Sequence, residues 1–339
     1  MASLRHLYIH IQTYGMKHKH LYLLSLMFFF WKIFDGIVSY VTPLVITEAG
    51  FSKTAMGLIY SSSSVFGAIF DIVLSRYLKN SNYRRIFIIL FAISFAYPLI
   101  LWQAKTVFVY IIAMAIWGLY YDLATFGTFD FVSRKLAPEE HTSSFGVIDV
   151  FRAIGTLVAP IIAGLIIVEL VDWKSYAAAL FFLAIAFMFF IQMLIHAKKS
   201  HYEYIKNSEG RKVSLFKEID TFKKVFRKVS PMVIITSLIF LMDAFFWTIG
   251  PIFSETYKQV HPLNGMFLAA YSLPTLLMGW FIGNIAKKYG KNKTTYISFL
   301  LGSIVLTTFA FVGKNPFALF AAVLVFSTFL SITLTTSHS

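Results

Sequence analysis

Apolar segments of about twenty residues, the length a helix needs to cross a hydrocarbon core of about 30 Å, recur with short polar gaps along nearly the whole chain. Ten are legible, at 21–43, 54–77, 86–103, 107–131, 143–170, 176–196, 231–254, 263–286, 295–312 and 316–334. Inside a bilayer the backbone has to satisfy its own hydrogen bonds, which makes each segment a helix. The expected fold class is therefore an all-α polytopic membrane protein. Of the 339 residues, 58% are hydrophobic and 18% aromatic, and the mean hydropathy of +0.71 is far above that of a soluble domain.

The first apolar stretch is full length and lacks a small-residue cleavage site, so it reads as the first span rather than a cleaved signal. The tail before it contains His6, His10, His18 and His20 at spacings that match no metal site, and Met16 offers an alternative start. The chain has no cysteine, which excludes disulfides and thiolate metal sites. No cofactor or metal is expected. A formal charge of +14 raises the question of nucleic acid, but the placement of the lysines and arginines answers it. With the amino terminus in the cytoplasm, only Lys53, Lys105, Lys174, Lys258 and Lys314 fall outside, Lys32 and Arg152 lie within spans, and the rest are cytoplasmic. That is the positive-inside pattern of a cell or plasma membrane protein. The expected partners are the lipid bilayer and a small organic substrate, with no nucleic acid and a monomeric state.

Four parts are expected: a basic cytoplasmic tail (1–20), a six-helix bundle (21–196), a cytoplasmic linker (197–230) and a second bundle (231–339). Within the linker, Leu215, Ile219, Phe222, Phe226 and Val229 share one helical face, the pattern of an amphipathic helix lying on the inner leaflet. A shift of 208 residues superposes Asp35 on Asp243, Pro43 on Pro251, Gly57 on Gly265, Lys79 on Lys287 and Arg85 on Lys293 without a gap. Five matches in order, at equivalent depths, indicate a duplicated unit. By the same shift Ser339 corresponds to Phe131, so the expectation is a second half holding four spans, about ten of twelve in all.

Two six-helix halves joined by a basic cytoplasmic loop resemble the major facilitator superfamily of secondary transporters. Within it, the fifth span is similar to the antiporter pattern G-x8-G-x3-G-P-x2-G-G through Gly146, Gly155, Ala159, Pro160, Ala163 and Gly164, with alanine at two glycine positions. Asp35 followed eight residues later by Pro43 resembles the first span of the drug/proton antiporter branch. Where that branch carries an arginine in the fourth span, this chain has Met114. The superfamily's loop pattern G-x-x-x-D-R-x-G-R-K is matched in the second half by Gly283, Gly290, Lys291 and Lys293, with Lys287 in place of the acid. In the first half it is matched by Asp71, Arg76, Arg84 and Arg85 without the glycines. The resemblance implies alternating access with the proton as coupling ion, and efflux by antiport. A uniporter or symporter for a metabolite, or a non-transporting receptor or scaffold, is the alternative.

Charges at bilayer depth point to the working residues, because an ionised group at a helix centre costs ~3 kcal/mol on insertion scales and is tolerated where it meets a partner or a cavity. At about 1.5 Å per residue from Leu21, Lys32 lies about 16 Å deep and Asp35 about 21 Å deep. Being three apart they share a face and can pair. Asp243, with Trp247 one turn on, offers a carboxylate and an aromatic surface to a cationic, amphipathic substrate. Asp149 and Arg152 share a face of the fifth span, and Asp122 enters the fourth from the other side to a similar depth, giving Arg152 two candidate carboxylate partners. Asp130 belongs at the inner end of the fourth span. No histidine sits in a span core and no nucleophile, metal or phosphate-loop motif is present, so no enzyme or ATP-driven pump is expected.

Overall fold

The structure, a computed structural model, describes residues 19–77, 82–137, 140–167, 170–199, 215–258, 267–312 and 315–338. The tail with His6, His10, Met16 and His18, the linker residues 200–214 and Gly265 lie outside the described residues. The described residues form ten helices. In chain order they are α1 (Lys19–Glu48), α2 (Lys53–Tyr77), α3 (Tyr83–Gln103), α4 (Val107–Lys135), α5 (His141–Ile166), α6 (Trp173–Lys199), α7 (Leu215–Lys258), α8 (Phe267–Tyr289), α9 (Lys291–Val312) and α10 (Pro316–His338). There is no strand among the described residues. Each helix corresponds to one expected span, and eight are long and apolar enough over their described residues to cross a membrane.

Two helices run furthest beyond their expected spans. α1 continues through Pro43 to Glu48; a proline inside a helix removes a single backbone donor, and in the turn that follows Thr47 Oγ1 donates to the Pro43 and Leu44 carbonyls. The amphipathic segment from Leu215 is not a separate element from the seventh span: a single 44-residue helix passes through Pro231 and Pro251. No glycine or turn signal interrupts Ser230–Pro231, so the helix formers on either side carry it across. Polar residues inside spans are satisfied locally, as where Ser25, Thr42 and Thr128 hydroxyls donate to the carbonyls four residues back.

The chain divides into two compact units, Met1–Ile205 and Lys206–Ser339. In the first, α1 is the buried axis, whereas α2 is mostly exposed. α1 packs against α5 and α6, α4 against α2 and α3. Apolar burial does not drive helix association in lipid, so close fit has to do so. Small residues supply it between α1 and α5. A Cβ on Gly36 would lie 2.3 Å from Ala159 Cβ, and one on Gly155 would lie 2.5 Å from the Phe29 carbonyl oxygen and 2.9 Å from Lys32 Cβ. Between α2 and α4, a Cβ on Gly118 would lie 2.4 Å from the Ser63 carbonyl oxygen. Aromatic rings seal the other contacts: Phe30 stacks on Phe189 at 5.4 Å between α1 and α6, and Phe91 meets Phe187 and Phe190 between α3 and α6.

In the second unit α10 packs against α8 and α9. Phe246 of α7 lies at its centre, stacked on Tyr271 at 4.4 Å and on Phe326 at 5.4 Å. A cavity of about 170 Å³ opens between α7, α9 and α10, lined by residues including Leu238, Met242, Phe299 and Phe326. α8 ends at Gly290, whose φ of +84° lies in the left-handed region that suits glycine. Its N–H donates to the Ala286 carbonyl, which gives one residue of the expected loop motif a structural duty.

Because Gly36 and Ala159 leave room for one Cβ between them, Gly36→Ala is expected to cost about 1–3 kcal/mol as an overpacked contact. Adding Ala159→Gly should return most of the loss. Thermal unfolding of the purified protein in detergent measures both, and an undiminished melting temperature in Gly36→Ala alone would contradict the close approach of α1 and α5.

Candidate functional site

Asp35 of the first unit is buried, 3% exposed. Lys32 Nζ lies 2.9 Å from Asp35 Oδ2. The Tyr120 hydroxyl donates to Oδ1 at 2.7 Å, and the Tyr121 hydroxyl contacts Oδ1 at 2.8 Å and Oδ2 at 2.9 Å. Three donors from two helices thus meet one carboxylate, which is what a charge so deep requires. The cation is enclosed as well, with Lys32 Nζ 5.0 Å from the Tyr121 ring centroid and 5.4 Å from that of Trp31. Trp31 is itself fixed by its indole N–H, which donates to Ser94 Oγ at 3.1 Å, and by edge contact with Tyr120 at 5.3 Å. Gly155 sets the depth at which α5 backs this pair, since it touches α1 at Phe29 and Lys32.

One turn below Gly155 on α5, Arg152 lies over the Phe28 ring at 4.0 Å. Its Nη2 donates to Thr128 Oγ1 at 2.7 Å and its Nη1 reaches Asp149 Oδ1 only at 3.5 Å. The expectation of Asp122 as a second partner for Arg152 is corrected. Successive residues of a helix are about 100° apart, so α4 turns Tyr120 and Tyr121 toward α1 and Asp122 toward α2. There Asp122 Oδ2 lies 3.7 Å from where a Cβ on Gly67 would lie, and the Asp122 side chain meets that of Asp71. Asp71, one turn after Gly67, is exposed on α2.

Of the remaining α5 motif, Gly146 is exposed near the start of the helix, and Ala159, Pro160, Ala163 and Gly164 are buried. At the expected cytoplasmic end, Arg84 Nε donates to its neighbour's hydroxyl, Tyr83, at 3.2 Å, and Arg85 is exposed. Arg76 lies in α2 and Gly283 and Lys287 in α8, with the side chains of Arg76 and Lys287 outside the described residues; Lys291 and Lys293 are exposed. An acid does join neighbouring helices here. Asp130 of α4 accepts the Tyr83 backbone N–H at the start of α3 at 2.6 Å and holds Arg134 at 2.7 Å.

In the second unit Asp243 accepts the Tyr271 hydroxyl at 2.7 Å. The Tyr271 carbonyl in turn accepts Ser327 Oγ, tying α7, α8 and α10 together. Trp247 is half-buried. Sequence reasoning missed the tyrosines on both carboxylates. The pair Tyr120–Tyr121 beside Asp122 was the available signal, but which of three consecutive polar residues faces α1 depends on helix rotation.

The chain matches the family model described as Major Facilitator Superfamily over residues 21–339. It belongs to that superfamily. Among solved structures, the nucleoside transporter NupG is similar in fold, with a TM-score of 0.72 at 14% identity over 94% of this chain and 80% of that one. A bacterial homolog to the human lysosomal transporter Spinster, in an inward-facing and unoccupied conformation, gives a TM-score of 0.70 at 11% identity over 94% of this chain and 74% of that one. No curated protein matches the sequence. As a member of the superfamily the chain is a multi-pass membrane transporter and not an enzyme.

With this superfamily member's Asp35 so deeply buried, Lys32→Met is expected to cost about 3–5 kcal/mol by leaving the carboxylate without its cation. Lys32→Met combined with Asp35→Leu should cost distinctly less, because the unpaired charge is gone. Thermal unfolding in detergent compares the two, and a double variant as unstable as the single one would rule out an ion pair as the source of the loss.

Proposed function

We propose that the chain is a proton-coupled secondary transporter of a small organic solute, working by alternating access in the drug/proton antiport manner, in the cell membrane with its amino terminus in the cytoplasm. The single observation that carries this is the Asp35 cluster: a titratable acid at mid-membrane depth, bonded to Lys32, Tyr120 and Tyr121. A proton on Asp35 removes the charge that faces Lys32, and the hydroxyls that donate to a carboxylate can accept from a carboxylic acid. Any conformation that separates Lys32 from Asp35 is then favoured by the proton and disfavoured by its loss, which is the differential that coupling needs. Gly155 and Ala159 of the antiporter-like stripe press directly on this part of α1, supporting antiport as the direction. A metabolite uniporter or symporter is the second reading, favoured by the nucleoside transporter among the fold neighbours.

The test uses purified protein in proteoliposomes with a pH-reporting dye in the lumen. Adding solutes from a panel of small organic compounds should shift lumenal pH in wild type, and Asp35→Asn should abolish the shift. Solute flux with no proton movement would support the second reading. Undiminished proton-coupled flux in Asp35→Asn would remove Asp35 from the mechanism.

A further inference from the structure

We propose that the transported solute carries an oxyanion, a carboxylate or phosphate group, and that Arg152, with Lys32 beside it, forms its binding subsite; this rests on the transport reading above. The two cations stand on one side of α1. Arg152 lies over the Phe28 ring at 4.0 Å, and Phe28 is one helical turn before Lys32, a step of about 6 Å along the axis. Their positions differ in how well each is neutralised. Lys32 has Asp35 at 2.9 Å and two aromatic faces, and Asp35, with a side chain 5% exposed, belongs wholly to that cluster. Among the described residues Arg152 has Asp149 as its counter-ion, at 3.5 Å and with a side chain 65% exposed, although its own side chain is 24% exposed. A pair that long and that open contributes little.

The guanidinium cannot shed its proton, so a poor counter-ion cannot be remedied by neutralisation. One N–H is spent on Thr128 and one is directed at Asp149; the others have no hydrogen-bond acceptor among the described residues. An oxyanion answers all of this at once. The fork of donors fits a carboxylate or phosphate edge, Thr128 and Phe28 hold the fork still, and the second cation stands one helical turn along α1 from Phe28. Asp243 in the second unit, already engaged by Tyr271, offers no comparable claim on a cationic group.

Binding of radiolabelled benzoate and of inorganic phosphate to the purified full chain, measured by equilibrium dialysis, tests this. Benzamide and benzylammonium serve as neutral and cationic competitors of the same shape as benzoate. Saturable binding of at least one anion is expected, tenfold or more weaker in Arg152→Gln, partly restored in Arg152→Lys, and unaffected by the two competitors. Saturation by benzoate alone would assign a carboxylate, and by phosphate a phosphate group. Thr128→Val, which keeps the charge and removes its anchor, should weaken binding severalfold and replaces Arg152→Gln if that variant is not monodisperse. No saturable binding of either anion, equal binding in these variants, or displacement by benzylammonium as effective as by benzoate overturns the proposal. Flux in proteoliposomes separates the two readings. Arg152-dependent anion binding with no solute movement would leave the subsite standing and remove transport. Movement of a cation that Arg152→Gln leaves unchanged would do the reverse.

Discussion

A carboxylate in the middle of a hydrocarbon layer has to be met by donors from the protein itself, and Asp35 is met by three. That requirement organises the first unit. It fixes the rotation of α4, which must present Tyr120 and Tyr121 to α1 and therefore directs Asp122 elsewhere. It also places Trp31, whose ring edge meets Tyr120 and whose indole bonds Ser94 of α3. Substituting any of these residues by an aliphatic one would preserve hydrophobicity and lose the bond, so the cluster specifies relative helix rotation in a way that apolar packing alone does not.

The small residues of α5 do the complementary work. Gly155 and Ala159 let α5 lie directly on Phe29, Lys32 and Gly36, and a backbone that close leaves Lys32 few rotamers other than the one pointing to Asp35. Arg152, one turn away, arrives over Phe28 for the same reason. Packing and charge placement are thus one feature here. A side chain added at Gly155 would displace a cation as well as a helix, and the stripe is better understood as positioning charge than as a hinge.

The helices and their order were legible because length and hydropathy decide them: only helices and closed barrels satisfy a backbone in lipid, and continuous apolar stretches of about twenty residues fit the helix. The pairing of Lys32 with Asp35 was legible because both lie on one helix, where three residues' separation fixes the geometry. What crossed between helices was not. Asp122 and Arg152 share a depth, yet they belong to helices whose rotations are set by Gly118 against Ser63 and by Gly155 against Phe29, contacts that a single sequence leaves unpaired. The tyrosine on Asp243 was hidden for the same reason. Pro231 was misread as a boundary because a proline's local cost is outweighed when both flanking segments are helical.

The duplicated acids show where the two halves parted. Asp35 and Asp243 superpose under the 208-residue shift, and each accepts a tyrosine hydroxyl, but the tyrosines come from non-equivalent helices: α4 for Asp35, and α8, the counterpart of α2, for Asp243. Phe240 stands where the shift places Lys32's counterpart. One copy therefore acquired a cation beside its acid and the other a ring. Had the acids served packing alone, either counterpart would have sufficed in both places. The divergence puts the ion pair in the first half, so a solute that requires a fixed positive charge finds it on α1, where α7 carries Phe240 at the equivalent depth.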